Sequence, residues 1–311
     1  MPERLRVAAR TAVGWGQGLD KLIIEARVNE YAMRDVNPNV PWSPDEIGKA
    51  AAEVEAAGAS VLHFHARKDD GAPEHGYDGY ARTIGAIRAA SGVLVHSTLG
   101  QITVDGDAAR ISHIERLAAD PALRPEFASV DMGSTNIDPY LRDERRFGTT
   151  NATYVNRTST LMYLTGRMRE LGVRPVLTCW AIPFVRMLDP FFEMQLLDEP
   201  AYVLLVHTGG PVLGGHPPTP EGLRSYLDFL PKNRKLHWTV SGKPANILAN
   251  AAQAIQLGGH VAIGIGDYPY PELGLPTNAQ LVKHVADLAR SLGREIATPD
   301  EARQMLGIAQ S

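Results

Sequence analysis

A chain of 311 residues with 44% hydrophobic and 21% charged residues can bury a large core without covalent staples. Its net charge of −4 gives no broad attraction for nucleic acid or an anionic membrane, and its single cysteine, Cys179, excludes an internal disulfide and fits a reducing, cytoplasmic setting. Small-molecule chemistry is the class left standing, and the length suits either two ordinary domains or one α/β barrel.

The first twenty residues hold early arginines but no continuous apolar stretch, so they do not read as a secretory signal; we take 1–20 as an N-terminal extension before a single domain, 21–311. No uncharged apolar run elsewhere is long enough to span a membrane. From residue 21 onward, short β-branched runs alternate with helical patterns. KLIIEARV (21–28) is the first predicted strand, followed by SPDEIGKAAAEVEAAG, a helix with Ser43 as cap, Pro44 at its first position, Glu46 closing a capping box and Gly58 as its stop. ASVLHFHA (59–66) is the second strand, a helix spans 80–92, and GVLVHST (92–98), FASVDMG (127–133), RPVLTCW (174–180) and AYVLLVH (201–207) are strands three to six. A helix at 222–230, the strand LHWTVSG (236–242), a helix at 246–259, the strand HVAIGIG (260–266) and a helix at 278–293 complete the chain. Eight strand–helix units predict an α/β fold of the TIM (β/α)8 type. An open doubly wound sheet is the alternative, but no G-x-G-x-x-G follows the first strand.

In such a barrel the chemistry sits at the C-terminal strand ends, so side-chain alternation decides which residues matter. In the second strand Leu62 and Phe64 face the helices, which sends His63 and His65 inward, where two imidazoles can close on one metal ion. In the first strand Leu22, Ile24, Ala26 and Val28 form the apolar face and Glu25, Arg27 and Asn29 the inner one, with Glu30 at the strand end. A closed barrel has no edge, so inward charges must pair with each other or with a metal. In the eighth strand Ala262, Gly264 and Gly266 leave room for something large from the adjacent first strand, ahead of Asp267. Thr98, Ser134, His207, Gly210 and Lys243 fall at other strand ends or in the loops that follow; the glycine-bearing loops with Lys243 can receive a phosphate. No serine lies in a G-x-S-x-G elbow.

The ordered segments NPNVPWSPDEIGKAAAEVEAAGASVLHFHARKDDG, MGSTN, GGHVAIGIGD and PTNAQLVKHVADLARSLGREIATPDEARQMLG together resemble the β-keto acid cleavage enzyme family from about residue 21 to 308. The resemblance implies a zinc-dependent TIM barrel, homo-oligomeric (dimer or tetramer), which condenses a β-keto acid with acetyl-CoA and releases acetoacetate and a CoA ester of the remainder. It implies His63 and His65 as Zn2+ ligands, Thr98 and Ser134 as the hydroxyl positions, and Asp267 as the strand-eight aspartate. Two family positions do not carry over: Gly266 stands where the third zinc ligand, a glutamate, is expected, and Ala262 where the aspartate's partner arginine is expected.

Both missing residue types stand in strand one, so the expectation is a relocation: Glu25 completes the metal site, with Glu30 as second choice, and Arg27 supports Asp267 as general base. Lys243 would meet CoA phosphates, with His207 and Gly210 beside it. Two rivals are a metal-dependent hydrolase of the amidohydrolase kind, which needs its His-x-His on strand one, and a non-catalytic small-molecule-binding barrel.

Overall fold

The computed structural model describes residues 19–100 and 104–309; the proposed N-terminal extension falls, but for its last two residues, outside them. Eight parallel strands close into a barrel: β1 (Ile24–Arg27), β2 (Val61–His63), β3 (Leu94–Ser97), β4 (Phe127–Asp131), β5 (Arg174–Cys179), β6 (Ala201–His207), β7 (Leu236–Gly242) and β8 (His260–Ile263). All eight predicted strands are present, each shorter than or equal to its apolar run. Closure is made by β1, which pairs with β2 through Glu25 and Val61 and with β8 through Glu25 and Ala262.

The strands are held by the apolar faces that alternation assigns to the helix layer. Leu22, Ile24, Ala26 and Val28 are fully buried, as are Leu62 and Phe64, and each of the larger side chains contributes about 1.5–3 kcal/mol relative to exposure. Helix α1 (Pro44–Ala57) has the predicted capping box at Ser43 and Glu46 and ends at Gly58, whose φ of 117° suits glycine. It packs closely on α2 (Tyr77–Ala90): a Cβ at Gly48 would lie 2.9 Å from the Ala86 carbonyl oxygen. The helices expected at 222–230, 246–259 and 278–293 are present as Pro220–Phe229, Leu248–Leu257 and Asn278–Ser291, whereas the sequence reading does not assign α3 (Asp107–Ala118), which follows β3, or the helices that follow β4 and β5.

The stretch between β4 and helix α4 (Thr158–Leu171) has no helical or strand periodicity in the sequence, and it folds into two small antiparallel ribbons. Thr135–Asn136 pairs with Thr153–Tyr154, and Tyr140–Leu141 with Arg146–Phe147. This excursion brings Ile137 and Tyr154 to the cavity at the C-terminal mouth of the barrel. Among the described residues no helix is long and apolar enough to cross a membrane.

Candidate active site

At the C-terminal ends of the strands lies a cavity lined by Arg27, Glu30, His63, His65, Thr98, Ser129, Asp131, Tyr154, Trp180 and Lys243, among others. It opens beside a second, apolar cleft that shares Glu30, Tyr31, Ile137, Trp180 and Lys243 with it and also touches Asp267.

Alternation places His63 and His65 in the cavity as expected, but the carboxylate between them is that of Glu30. Glu30 Oε1 lies 2.8 Å from His63 Nε2 and its Oε2 3.2 Å from His65 Nε2. Glu25 does not reach His65. It lies two residues deeper in the barrel than Arg27, fully buried, where its Oε1 accepts from Arg27 at 2.9 Å and faces His96 Nδ1 at 3.1 Å. The expected role of Glu25 as partner of both histidines is therefore corrected: register sets it beside His63 and His96 instead. Glu30 reaches the histidines through a φ of 38°, a left-handed conformation uncommon for glutamate and of the kind found where a site over-determines the backbone.

Proton bookkeeping around His63 says what this trio needs. Its Nδ1 is 3.1 Å from the His96 carbonyl oxygen, which can only accept, so Nδ1 carries the hydrogen and Nε2 presents a lone pair. Burial, reinforced by Arg27, keeps the His63 imidazole neutral by holding its pKa well below the usual value, and burial lowers that of His65 as well. Burial opposes ionisation of Glu30, but Lys243 and Arg27 overcome it and hold its carboxyl well below the usual range. A lone pair thus faces a carboxylate across 2.8 Å. A divalent cation would resolve that opposition if His63, His65 and Glu30 held one, and two imidazoles with one carboxylate are a donor set that suits zinc. In the neighbouring group of Glu25, His63 and His96, His96 already spends Nδ1 on Glu25 and Nε2 on Ser129 Oγ, 2.8 Å away, so that group is a hydrogen-bonded network.

Arg27 ties three carboxylates together. It donates to Glu25, to Glu30 and, from Nε, to Asp267 Oδ2 at 2.6 Å. The expected Arg27–Asp267 partnership across β1 and β8 is the arrangement seen. Burial pushes the Asp267 carboxyl up to about 6 against the pull of Arg27, and its Oδ1 is buried with no hydrogen-bond partner among the described residues. Lys243 Nζ is 2.6 Å from Glu30 Oε2, so its charge is engaged inside the cavity. Burial works against that charge, and Glu30 and Asp267 more than restore it, leaving its pKa raised.

The strand-eight glycines act differently from expectation. A Cβ at Gly264 would lie 1.9 Å from the Arg27 carbonyl oxygen, and one at Gly266 would lie 2.7 Å from the Asn29 carbonyl carbon and 2.8 Å from Glu30 N. The main chain of the first strand, not its side chains, takes the space that a side chain at 266 would need, and this approach delivers Glu30. Asn29 is likewise not a cavity group: its amide bonds the main chain of His65 on both sides, at 2.9 Å each, and locks β1 to the end of β2.

Other expected residues divide. Thr98 lines the cavity, its Oγ1 accepting from Gly100 N at 3.4 Å. Ser134 does not: its hydroxyl bridges both main-chain groups of Asn156, at 3.1 and 2.8 Å, and fastens the ribbon excursion. His207 falls on the helix-facing side of β6, opposite to the cavity-lining Leu204 and Val206, with Nδ1 2.9 Å from the Pro217 carbonyl and its ring against Tyr226. Gly210 turns the following loop at φ 56° and does not line the cavity. Cavity hydroxyls that sequence reading missed include Ser129, Thr178 and Ser241, and the missed carboxylate is Asp131. Ser129 and Asp131 are two apart on β4, and the same alternation that selects His63 and His65 points to them, as it points to His96 from Thr98. Tyr154 carried no such signal, since it arrives from the excursion.

A closed parallel barrel whose strand ends gather two neutral imidazoles, an arginine and several carboxylates around one cavity has the organisation of a barrel enzyme. The sequence model of the β-keto acid cleavage enzyme family matches residues 21–308, and the chain belongs to that family. It is similar to the 3-keto-5-aminohexanoate cleavage enzyme of Acetoanaerobium sticklandii, 33% identical over 94% of this chain and 100% of that one. It is also similar to the enzyme of the same name from Fusobacterium nucleatum, 31% identical over 93% of this chain and 99% of that one, and to the 3-dehydrocarnitine:acetyl-CoA trimethylamine transferase of Rhizobium meliloti, 28% identical over 88% of this chain and 91% of that one. The solved apo structure of ObcA shares the fold at a TM-score of 0.66, with 15% identity, 88% of this chain and 66% of that chain covered.

Proposed function

We propose that this enzyme is a zinc-dependent β-keto acid cleavage enzyme that condenses a β-keto acid with acetyl-CoA and yields acetoacetate and the CoA ester of the remainder. The observation that carries the reading is the trio His63, His65 and Glu30, lone pair facing carboxylate at the strand ends. The acetyl-CoA in the name of the Rhizobium relative supports the choice of co-substrate. Zinc bound by the trio would supply Lewis-acid polarisation of the keto oxygen.

The chain's own groups supply the rest. Asp267 takes the proton from the carbon between the two carbonyl groups, through the unpartnered Oδ1, while Arg27 holds the opposite oxygen. Lys243, beside Glu30 and partly exposed, is placed to receive the substrate carboxylate as a point charge. Thr98 offers a hydroxyl to the same cavity. The adjoining apolar cleft, with Met33, Val36, Val212, Pro244 and Ile265, suits the arm of a thioester, and its contact with Asp267 brings that arm to the base.

The test is metal analysis of the purified protein together with acetoacetate release from a panel of β-keto acids, with and without acetyl-CoA. Zinc with acetyl-CoA-dependent release is the expected result. Turnover independent of acetyl-CoA would favour the hydrolase alternative and overturn the reading, and so would a metal-free protein with no turnover.

A further inference from the structure

One cavity hydroxyl has a base and an acid lined up behind it. Ser129 Oγ, on β4, lies 2.8 Å from His96 Nε2, and His96 Nδ1 lies 3.1 Å from Glu25 Oε1. Arg27 donates to the same carboxylate oxygen at 2.9 Å. A carboxylate can only accept, so His96 carries its hydrogen on Nδ1 and offers the Nε2 lone pair to the Ser129 hydroxyl. Nucleophile, base and orienting acid, each within hydrogen-bond reach of the next, are the arrangement that activates a serine. No local motif announces it, because β1, β3 and β4 contribute one residue each. Such triads are recognised by geometry and roles rather than by order in the chain.

Burial grades the three residues in the order this chemistry requires. Glu25 and His96 are 0% exposed, so water does not compete for either. Ser129 is the one residue of β4 that is partly exposed, and it lines the cavity. Packing alone gives no reason for an acid and an imidazole at this depth, since apolar side chains of similar volume are often as stabilising or more so. On the adjoining β5, Thr178 also lines the cavity. Its hydroxyl has a long bond of 3.5 Å to the Val176 carbonyl and is available to an oxygen that gains charge beside Ser129.

We infer that Ser129 is a nucleophile and gives this protein a second activity, hydrolysis of acyl thioesters through an acyl-Ser129 intermediate. Oγ bonds to the thioester carbonyl carbon as the carbon–sulfur bond breaks. The serine proton passes to His96 Nε2 and on to the sulfur, which leaves as the thiol. Water then attacks the acyl carbon and the bond to Oγ breaks, while a water proton returns through His96 to Ser129 and the carboxylic acid departs. Glu25 is a positioning residue that holds the His96 ring. The activity stands apart from the cleavage reading, which uses neither Ser129 nor His96.

Two probes test this on the full-length protein as purified, with no keto acid present. An alkyl fluorophosphonate phosphonylates an activated serine irreversibly, and peptide mass spectrometry locates the label. The expected result is label on Ser129, none in Ser129→Ala, and labelling slowed about a hundredfold or more in His96→Gln. The second probe is acetyl-CoA, with thiol release as the readout. Release should fall at least about a thousandfold in Ser129→Ala, return in part in Ser129→Cys, and stop in the labelled protein. Glu25→Gln should lower kcat about tenfold or more and leave KM within about twofold, a split that general loosening of the barrel would not give. Melting curves establish that each variant is folded, and should Ser129→Ala not fold, the position of the label in the unaltered protein decides. Label elsewhere or nowhere overturns the inference, and so does an unaltered protein that releases no thiol or a Ser129→Ala protein that releases it undiminished. Acetoacetate release from β-keto acids is a separate criterion, so this activity and the cleavage reading fail independently.

Discussion

Arg27 on the first strand and Asp267 after the eighth meet at 2.6 Å across the seam where the barrel closes. The guanidinium also binds Glu25 and Glu30, so one positive side chain holds three buried acids in place. Replacing it by methionine leaves those acids without their counter-charge. We expect a loss of stability of about 3–5 kcal/mol, the usual cost of breaking a buried pair from one side, together with a fall in kcat/KM of about a hundredfold or more from the misplaced base. Arg27→Lys should recover part of the stability but little of the rate, because an ammonium cannot serve three acids from a planar fork. Thermal melts alongside steady-state kinetics check both, and a stable, active Arg27→Met would count against the assignment.

With Asp267 as the base, activity must follow its ionisation. Burial raises this carboxyl to about 6 despite Arg27. The base works only when deprotonated, so kcat/KM should fall as pH drops through that value and level off above it. Asp267→Asn should remove about three orders of magnitude in rate on the plateau above the Asp267 pKa of about 6 and abolish the acid limb, while keeping the metal. A pH–rate profile unchanged between pH 5 and 8 would place the base elsewhere.

The two acids of strand one should separate cleanly in metal retention. Glu30→Gln removes the carboxylate that lies between His63 and His65 and should weaken metal binding by about a hundredfold or more. Glu25→Gln leaves the trio intact and should retain the metal, although it loosens the Arg27 and His96 contacts. Metal content after dialysis against a graded chelator distinguishes them. If Glu25→Gln sheds the metal and Glu30→Gln does not, Glu25 is the ligand after all.

Gly266→Ala is a test of backbone approach. The added methyl would come within 2.7 Å of the Asn29 carbonyl carbon and 2.8 Å of Glu30 N, so the first strand must shift. A destabilisation of about 1–3 kcal/mol is expected from such overpacking, and with it a weaker hold on the metal, because the displaced segment carries Glu30. Normal metal content in a well-folded Gly266→Ala protein would show that the approach is dispensable.

The period-two alternation of the strands made most of this architecture legible in the sequence. It revealed the eight strands and the inward direction of His63, His65, Glu25 and Arg27. It did not decide between Glu25 and Glu30, because Glu30 reaches the histidines through a left-handed backbone turn that no alternation rule anticipates. Alternation also points His96, Ser129 and Asp131 inward, but as isolated polar residues in their strands they form no paired motif such as His63 and His65. His207 lies one residue out of register with the cavity-facing Leu204 and Val206, since a strand-end histidine can face the helices as readily as the mouth. Ser134 was placed by likeness to the family, whereas here its hydroxyl is spent on Asn156. The Tyr154 contact with Asp131 joins residues 23 apart through an irregular excursion, and such a pairing has no local signature.

That contact has a consequence for how the enzyme can diversify. The reacting groups are anchored in barrel strands or at their ends, but the wall around Asp131 is finished by a tyrosine borrowed from the ribbon excursion. Recasting the excursion would change which molecules are admitted while the machinery that breaks the carbon–carbon bond stays as it is, so novelty in diet need not disturb the chemistry.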